Sequence, residues 1–339
     1  MLYYRKHEVD KNGNFIKVND KYVFRIVDSK DSKITDKEVL QYIESLKIPP
    51  AYRDTKIFYI NKPKILFEGY DDKNRLQQIY SQDHKKKASK KKFCHLLNFG
   101  KILPKIIKDM EKNIKYDLFE EKYDSSKQKL KLIAIIIKIV INCGFRLGNL
   151  KYQKLYKSFG ISNILLKHIA IKIKNNHEHL HINFIGKKGV KNNCIIDNKQ
   201  IIHEIKQLIV NKEKTDHVFT YKLDDKTHLL TSNDINKWLK TYDSTITSKM
   251  FRTWDTNVLF LSLIKEKDIN GTQARRKKNV IEILRIVADH INNTPNVCKK
   301  EYMLNDIWQI YIDQPIRYKK MFFNEPIEDL IKYLEKYCN

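Results

Sequence analysis

Glycine and proline are scarce in this chain, 9 and 7 in 339 residues. That composition excludes collagen-like and low-complexity classes. Cysteine is sparse too. Cys94, Cys143, Cys194, Cys298 and Cys338 are scattered, with no Cys-x-x-Cys pair. The spacing indicates neither a zinc knuckle nor a disulfide framework, and the odd number fits a reducing compartment. Long apolar runs are absent. The most apolar stretch, residues 130–143, is interrupted by Lys131, Lys138 and Asn142 and predicts a buried helix, not a membrane span. The N-terminal residues Met1, Leu2, Tyr3, Tyr4, Arg5 and Lys6 form no apolar signal core. Acidic residues are few beside basic ones, 40 Asp+Glu against 66 Lys+Arg, for a formal net charge of +26. Such a charge points to a polyanion partner. The lysines are spread along the whole chain, whereas a membrane-surface protein concentrates them on one amphipathic helix. The expected setting is therefore intracellular, with no membrane partner.

The length suggests two domains. Residues 1–88 read mainly as strands. Asn12-Gly13 signals a hairpin, residues 22–27 alternate, and residues 56–60, 65–70 and 75–80 read as further strands, the last two joined through residues 71–74. One helix is expected over residues 36–46, with Thr35 or Asp36 as its N-cap. The run His84-Lys85-Lys86-Lys87-Ala88-Ser89-Lys90-Lys91-Lys92 reads as a solvated linker and marks the boundary, giving a β-rich domain of residues 1–88 and a mainly helical one of residues 89–339. In the second part helices are expected at 93–113, 126–143, 147–158, 198–210, 232–240, 249–264, 272–291 and 326–337. A three-stranded segment at 169–173, 180–184 and 194–196 interrupts them. The fold class is thus α+β, without internal repeats.

Nucleotide-binding fingerprints are missing. Gly186-Lys187-Lys188-Gly189 lacks the spacing and the Ser/Thr of a phosphate-binding Walker loop. No set of carboxylates suits two-metal phosphoryl transfer, and Asp71-Asp72 reads as a turn former. His177, His179 and His181 would share one strand face, where a solvated hairpin end is the plainer reading than a metal site. Cys298 has no obvious base beside it. What the chain does offer is a tyrosine, Tyr302, delivered by a basic segment after a Thr294-Pro295 break, together with cations at structural transitions. Arg146 lies between Gly144 and Gly148, which let backbone and guanidinium approach a ligand closely. Lys187 sits at a hairpin tip. Arg252 and Lys249, three residues apart, share a helical face beside Met250, Phe251 and Trp254. Taken singly, Arg146 is also readable as an arginine salt-bridged at a helix end, and Lys187 as a solvated turn lysine. Taken together they supply a metal-free scheme: two arginines neutralise a pentacoordinate phosphorane, a lysine protonates the leaving oxygen, and a tyrosine attacks phosphorus. No cofactor is called for.

The order of Gly144-Phe145-Arg146-Leu147-Gly148-Asn149, Phe184-Ile185-Gly186-Lys187, Phe251-Arg252-Thr253-Trp254 and Asn293-Thr294-Pro295, with Val297-Cys298 and then Tyr302, resembles the small type IB DNA topoisomerases of poxviruses, bacteria and giant DNA viruses. Residues 48–54 and 70–80 extend the likeness into the N-terminal half. The resemblance implies a catalytic fold of the type IB topoisomerase and tyrosine recombinase kind. It also implies a monomer that clamps double-stranded DNA and relaxes supercoils of both signs without metal or ATP. By the same resemblance Tyr302 is the nucleophile, Arg146 and Arg252 hold the nonbridging oxygens, Lys187 is the general acid and Lys249 supports the site. Gln77, Gln78 and Tyr80 match a major-groove-reading strand, Gln78 replacing a tyrosine of the poxvirus pattern, and Tyr152 matches a DNA-contacting tyrosine. Poxvirus members carry a histidine nine residues before the nucleophile; here that position is Asn293, whose amide donates a hydrogen bond but carries no charge. His290 is out of register and reads as a surface or packing histidine whose loss would be nearly silent. Two rivals are a tyrosine recombinase, which usually has a histidine where Lys249 stands, and a non-catalytic DNA-binding protein. If viral, the protein would work in the host cytoplasm or the virion.

Overall fold

The computed structural model describes residues 1–61, 63–116, 124–224 and 226–339. The chain divides into two compact units, Met1–Lys92 and Phe93–Asn339.

The first unit contains β1 (Leu2–His7), β2 (Lys17–Val18), β3 (Lys21–Tyr22), β4 (Phe24–Val27), α1 (Lys37–Ser45), β5 (Arg53–Phe58), β6 (Ile65–Tyr70) and β7 (Leu76–Tyr80). Five strands form one antiparallel sheet in the order β4-β1-β5-β6-β7. Alternation along β1 and β5 turns Tyr3 and Ile57 to one face, where Val39 and Ile43 of α1 and Phe67 of β6 close a small core. Asp36 caps α1 as expected, its carboxylate accepting from the backbone N–H groups of Glu38 and Val39 at 2.9 and 3.3 Å. Asp71 closes the β6–β7 turn by accepting from the N–H groups of Lys73 and Arg75.

The lysine-rich run from His84 to Lys92 is not a linker. It forms the first turns of α2 (Gln82–Asn113), and the division between the units falls inside that helix. Lysine is a good helix former, so the run needs no apolar stripe of its own once a packed helix continues it.

The second unit continues with α3 (Ser125–Cys143), α4 (Leu150–Tyr156), β8 (Ile169–Lys174), β9 (His177–Ile185), β10 (Lys191–Ile196), α5 (Lys199–Ile209), β11 (Thr220–Leu223), β12 (Lys226–Leu229), α6 (Ser232–Leu239), α7 (Lys249–Lys265), α8 (Gln273–His290), α9 (Pro295–Glu301), α10 (Asn305–Asp313), α11 (Pro315–Met321) and α12 (Pro326–Cys338). The expected three-stranded sheet is present, in the order β10-β9-β8, and β11–β12 form a separate two-stranded hairpin. The apolar stretch becomes α3, buried on nearly every side. Its Lys131 survives burial because the ammonium lies 2.7 Å from Glu204 of α5 and donates to the Tyr116 carbonyl. Among the described residues no helix is long and apolar enough to cross a membrane.

Four of the five cysteines are joined in disulfides, Cys94–Cys338 and Cys143–Cys194. This corrects the expectation of no disulfide framework. The partners lie 244 and 51 residues apart, and spacing along a chain carries no trace of such pairings.

Candidate active site

A cavity of about 1190 Å³ in the second unit is lined by Arg146, Lys187, Lys249, Arg252, Asn293 and Tyr302. They reach it from several pieces of local structure, Lys249 and Arg252 from the same helix. α3 ends at Gly144, which adopts the left-handed backbone (φ 60°) that caps a helix C-terminus. The chain then runs without regular secondary structure through Arg146. Gly148 packs against Asn163 so tightly that a Cβ there would lie 1.5 Å from the amide oxygen. The two glycines flanking Arg146 thus serve helix termination and close internal packing, not ligand approach.

Lys187 stands exposed at the turn between β9 and β10, where Lys188 and Gly189 both take positive φ. α7 carries Lys249 in its first turn and Arg252 one turn on. Phe251 and Trp254 anchor this helix, both edge-on to Phe99 of α2 with ring centroids 4.9 and 6.1 Å away. Tyr302 follows α9, whose N-cap Thr294 and first residue Pro295 start the helix.

The phenol is almost fully buried (3% exposed) among cations. Arg146 Nη2 donates to the Tyr302 hydroxyl oxygen at 3.2 Å and to Asn293 Oδ1 at 3.0 Å. The Arg252 guanidinium lies 5.2 Å from the ring centroid and the Lys249 ammonium 5.5 Å. Burial alone would raise the phenol's pKa. Arg252 and Arg146, with the Arg146 hydrogen bond and Lys249, overcome it and hold the phenol below its ordinary value. Arg252 is itself buried. Its Nη1 donates to the Gly144 carbonyl and its Nη2 to the Ile291 carbonyl at 2.8 Å, while the buried Nε has no hydrogen-bond partner among the described residues. Burial pushes its pKa down to about 10, which leaves it charged at neutral pH. The Cys298 thiol is fully buried and pushed up to about 11, chiefly by burial, so it stays protonated and is no nucleophile.

Sequence reasoning missed Asn257. Its side chain is fully buried on α7, donates from Nδ2 to the Tyr302 carbonyl at 2.8 Å, and accepts at Oδ1 from the Leu304 N–H at 2.9 Å. One amide thus fixes the backbone on both sides of Met303 to the helix that bears Arg252. Asn257→Ala would leave a buried N–H and a buried C=O unpaired, costing roughly 1–3 kcal/mol each. The expected result is a lower melting temperature together with slower chemistry at Tyr302, read by thermal denaturation and a single-turnover assay.

The other sequence candidates are not among the residues that line this cavity. Tyr152 is on α4, half exposed, with its ring 5.7 Å from that of Tyr156. Gln77, Gln78 and Tyr80 belong to the first unit, on the edge strand β7. Gln77 donates to Asp71, Gln78 donates to Glu68 at 3.0 Å, and Tyr80 donates to Gln78 Oε1 at 2.8 Å. His177, His179 and His181 do lie along β9, but His179 pairs with Asp197, and no metal-holding group of three or more His, Cys, Asp or Glu exists among the described residues. His290 does not line the cavity, yet it is no loose surface residue: its Nε2 lies 2.6 Å from Asp255 Oδ2.

A single cavity that sets a buried tyrosine among two arginines and five lysines defines a protein built for chemistry on phosphate esters. A family model, the eukaryotic DNA topoisomerase I catalytic core, matches residues 81–320. The chain belongs to that family of DNA topoisomerases. It is 28% identical over 330 residues to the DNA topoisomerase 1B of Acanthamoeba polyphaga mimivirus, covering 95% of this chain and 94% of that one. It is 22% identical over 283 residues to the DNA topoisomerase 1B of vaccinia virus (strain Copenhagen), covering 82% of each. It is also 24% identical over 246 residues to the DNA topoisomerase 1 of Mycosarcoma maydis, covering 64% of this chain and 23% of that protein.

Proposed function

We propose that this type IB DNA topoisomerase nicks one strand of duplex DNA through Tyr302. The phenolate oxygen attacks the scissile phosphorus, a 3′-phosphotyrosyl bond forms and the bond to the 5′-oxygen breaks. Arg146 and Arg252 neutralise the nonbridging oxygens, and Lys187 gives its proton to the departing 5′-oxygen. Rotation about the intact strand relaxes supercoils of either sign. The 5′-hydroxyl then attacks the phosphotyrosine, returns its proton and releases the tyrosine. The phosphotyrosyl ester keeps the energy of the phosphodiester, so religation needs no ATP, and the cations take the part a metal plays elsewhere. The observation that carries this reading is the buried Tyr302 hydroxyl, 3.2 Å from Arg146 Nη2 with Arg252 and Lys249 beside its ring.

Residues 1–88 are assigned to DNA binding, with Gln77, Gln78 and Tyr80 facing the major groove, and residues 89–339 to catalysis, with Tyr152 touching DNA beside the site. The enzyme would act as a monomer on double-stranded DNA, inside the cell or virion. Supercoiled plasmid incubated with the protein in EDTA should relax, and denaturation during the reaction should trap protein on the 3′ side of a nick. Failure to relax under these conditions would falsify the mechanism.

Asn293 is assigned to the charge that develops at phosphorus, acting with the Arg146 it contacts. A hydrogen bond to a charged group contributes roughly 1.5–3 kcal/mol, so Asn293→Ala should slow cleavage by about ten- to a hundredfold. DNA affinity in a filter-binding assay should change little. Weakened affinity with an unaltered cleavage rate is the contrary result.

A further inference from the structure

We propose that His290 and Asp255 form a positioning pair that holds the α8–α9 turn so that its Ile291 carbonyl, together with that of Gly144, aims Arg252 at the scissile phosphate. This inference rests on the function proposed above and names two residues which that mechanism does not use.

The pair joins two elements of the site. His290 is the last residue of α8, and its Nε2 lies 2.6 Å from Asp255 Oδ2. Asp255 stands three residues beyond Arg252 on α7, so both share one side of that helix. The hydrogen bond to Asp255 is the largest influence on the imidazole and raises its pKa against burial and the Arg252 charge, which favours an imidazolium–carboxylate pair.

Both acceptors of Arg252 lie beside His290, one in its own turn and one at the end of α3. Ile291, the next residue, gives its carbonyl to Nη2 at 2.8 Å. Gly144, whose carbonyl takes Nη1, is pressed against His290 so closely that a Cβ on it would lie 2.7 Å from the His290 carbonyl oxygen. The Ile291 carbonyl also accepts from Asn293 Nδ2 at 3.2 Å, and Asn293 Oδ1 accepts from Arg146. Both arginines of the site are thus referred to one short turn.

That turn has little regular structure to hold it. Ile291 has left the helix, and Asn292 takes a left-handed φ of 50°. Side chains tie it to three elements: His290 to α7, Asn292 through its Nδ2 to the Cys143 carbonyl of α3 at 3.1 Å, and Asn292 Oδ1 accepting from the Asn193 N–H of β10 at 3.3 Å. The His290 and Asp255 side chains are each about one-third exposed, at 31% and 33%. A pair so wet adds little to global stability. Its effect is on geometry, where a misplacement near 1 Å costs up to about a hundredfold in rate.

The test is single-turnover cleavage of a suicide DNA substrate, run beside DNA binding and thermal denaturation. His290→Ala should slow cleavage about tenfold or more while affinity and melting temperature stay near wild type. His290→Gln, whose amide N–H can reach Asp255, should recover most of the rate. Asp255→Asn should fall between, and it serves if His290→Ala does not fold. In an Arg252→Ala background, adding His290→Ala should cost clearly less than it does in the wild-type protein, because the pair acts mainly through Arg252. An unchanged rate in His290→Ala, no rescue by His290→Gln, or losses that multiply with Arg252→Ala would each overturn the proposal. Absence of a covalent adduct in the wild-type protein would instead overturn the function on which it rests.

Discussion

Tyr302→Phe should bind DNA with near wild-type affinity and neither cleave nor relax it. The phenol oxygen is the atom that would bond to phosphorus, and no other nucleophile takes its place. Cys298, the nearest thiol in sequence, is buried with its pKa pushed up to about 11. Removing a covalent nucleophile costs on the order of 10⁶ in rate in a well-studied hydrolase, and a loss of at least about 10⁴ is expected here. The ring itself packs in the core, so phenylalanine fits with little change in burial. The lost hydroxyl does leave Arg146 with one acceptor fewer, but Asn293 still receives that guanidinium. Folding should therefore be almost unaffected. The measurement is a plasmid relaxation series with a denaturing gel for the protein–DNA adduct. Any adduct formed by Tyr302→Phe assigns the nucleophile elsewhere.

Arg252→Ala should damage both rate and fold. A preorganised donor aimed at transition-state charge contributes about 10²–10³ in rate, and a loss of that size in single-turnover cleavage is expected. The carbonyls of Gly144 and Ile291 would also lose a charged donor in a buried place, at roughly 1–3 kcal/mol for each group left unpaired. The melting temperature should fall by several degrees. Arg252→Lys keeps the charge but cannot reach both carbonyls with one planar fork. It should regain part of the stability and little of the rate. Cleavage at the wild-type rate in Arg252→Ala would remove this residue from the phosphate site.

Much of the architecture is written in local patterns. α3 is legible because apolar residues surround it, α1 because Asp36 announces its cap, and the β8–β10 segment because asparagine and glycine turns punctuate it. Other elements lack such marks. α9, α10 and α11 are seven, nine and seven residues long, too short for a period to declare itself. β11 and β12 are four residues each and partly charged. The first turns of α2 are hidden by lysines that carry no apolar stripe.

The site divides in the same way. Arg146, Lys187, Arg252 and Tyr302 stand out because each sits in a short motif whose neighbours change structure. Asn257 does not, since its partners Tyr302 and Leu304 lie 45 and 47 residues away and the contact is to backbone. His290 reads from the sequence only as a surface or packing histidine. That it meets Asp255, 35 residues earlier, depends on how α7 and α8 pack. A sequence shows which side chains are available, and packing decides which of them are paired.

The Cys94–Cys338 bridge bears on how the covalent intermediate would be mapped. It closes a loop of chain whose ends lie 244 positions apart, and Tyr302 lies inside that loop. A single protease cut anywhere within the loop leaves one covalent molecule, and a DNA strand attached to Tyr302 migrates with the whole protein. Only after thiol reduction do the two fragments part and show which of them carries the nucleic acid.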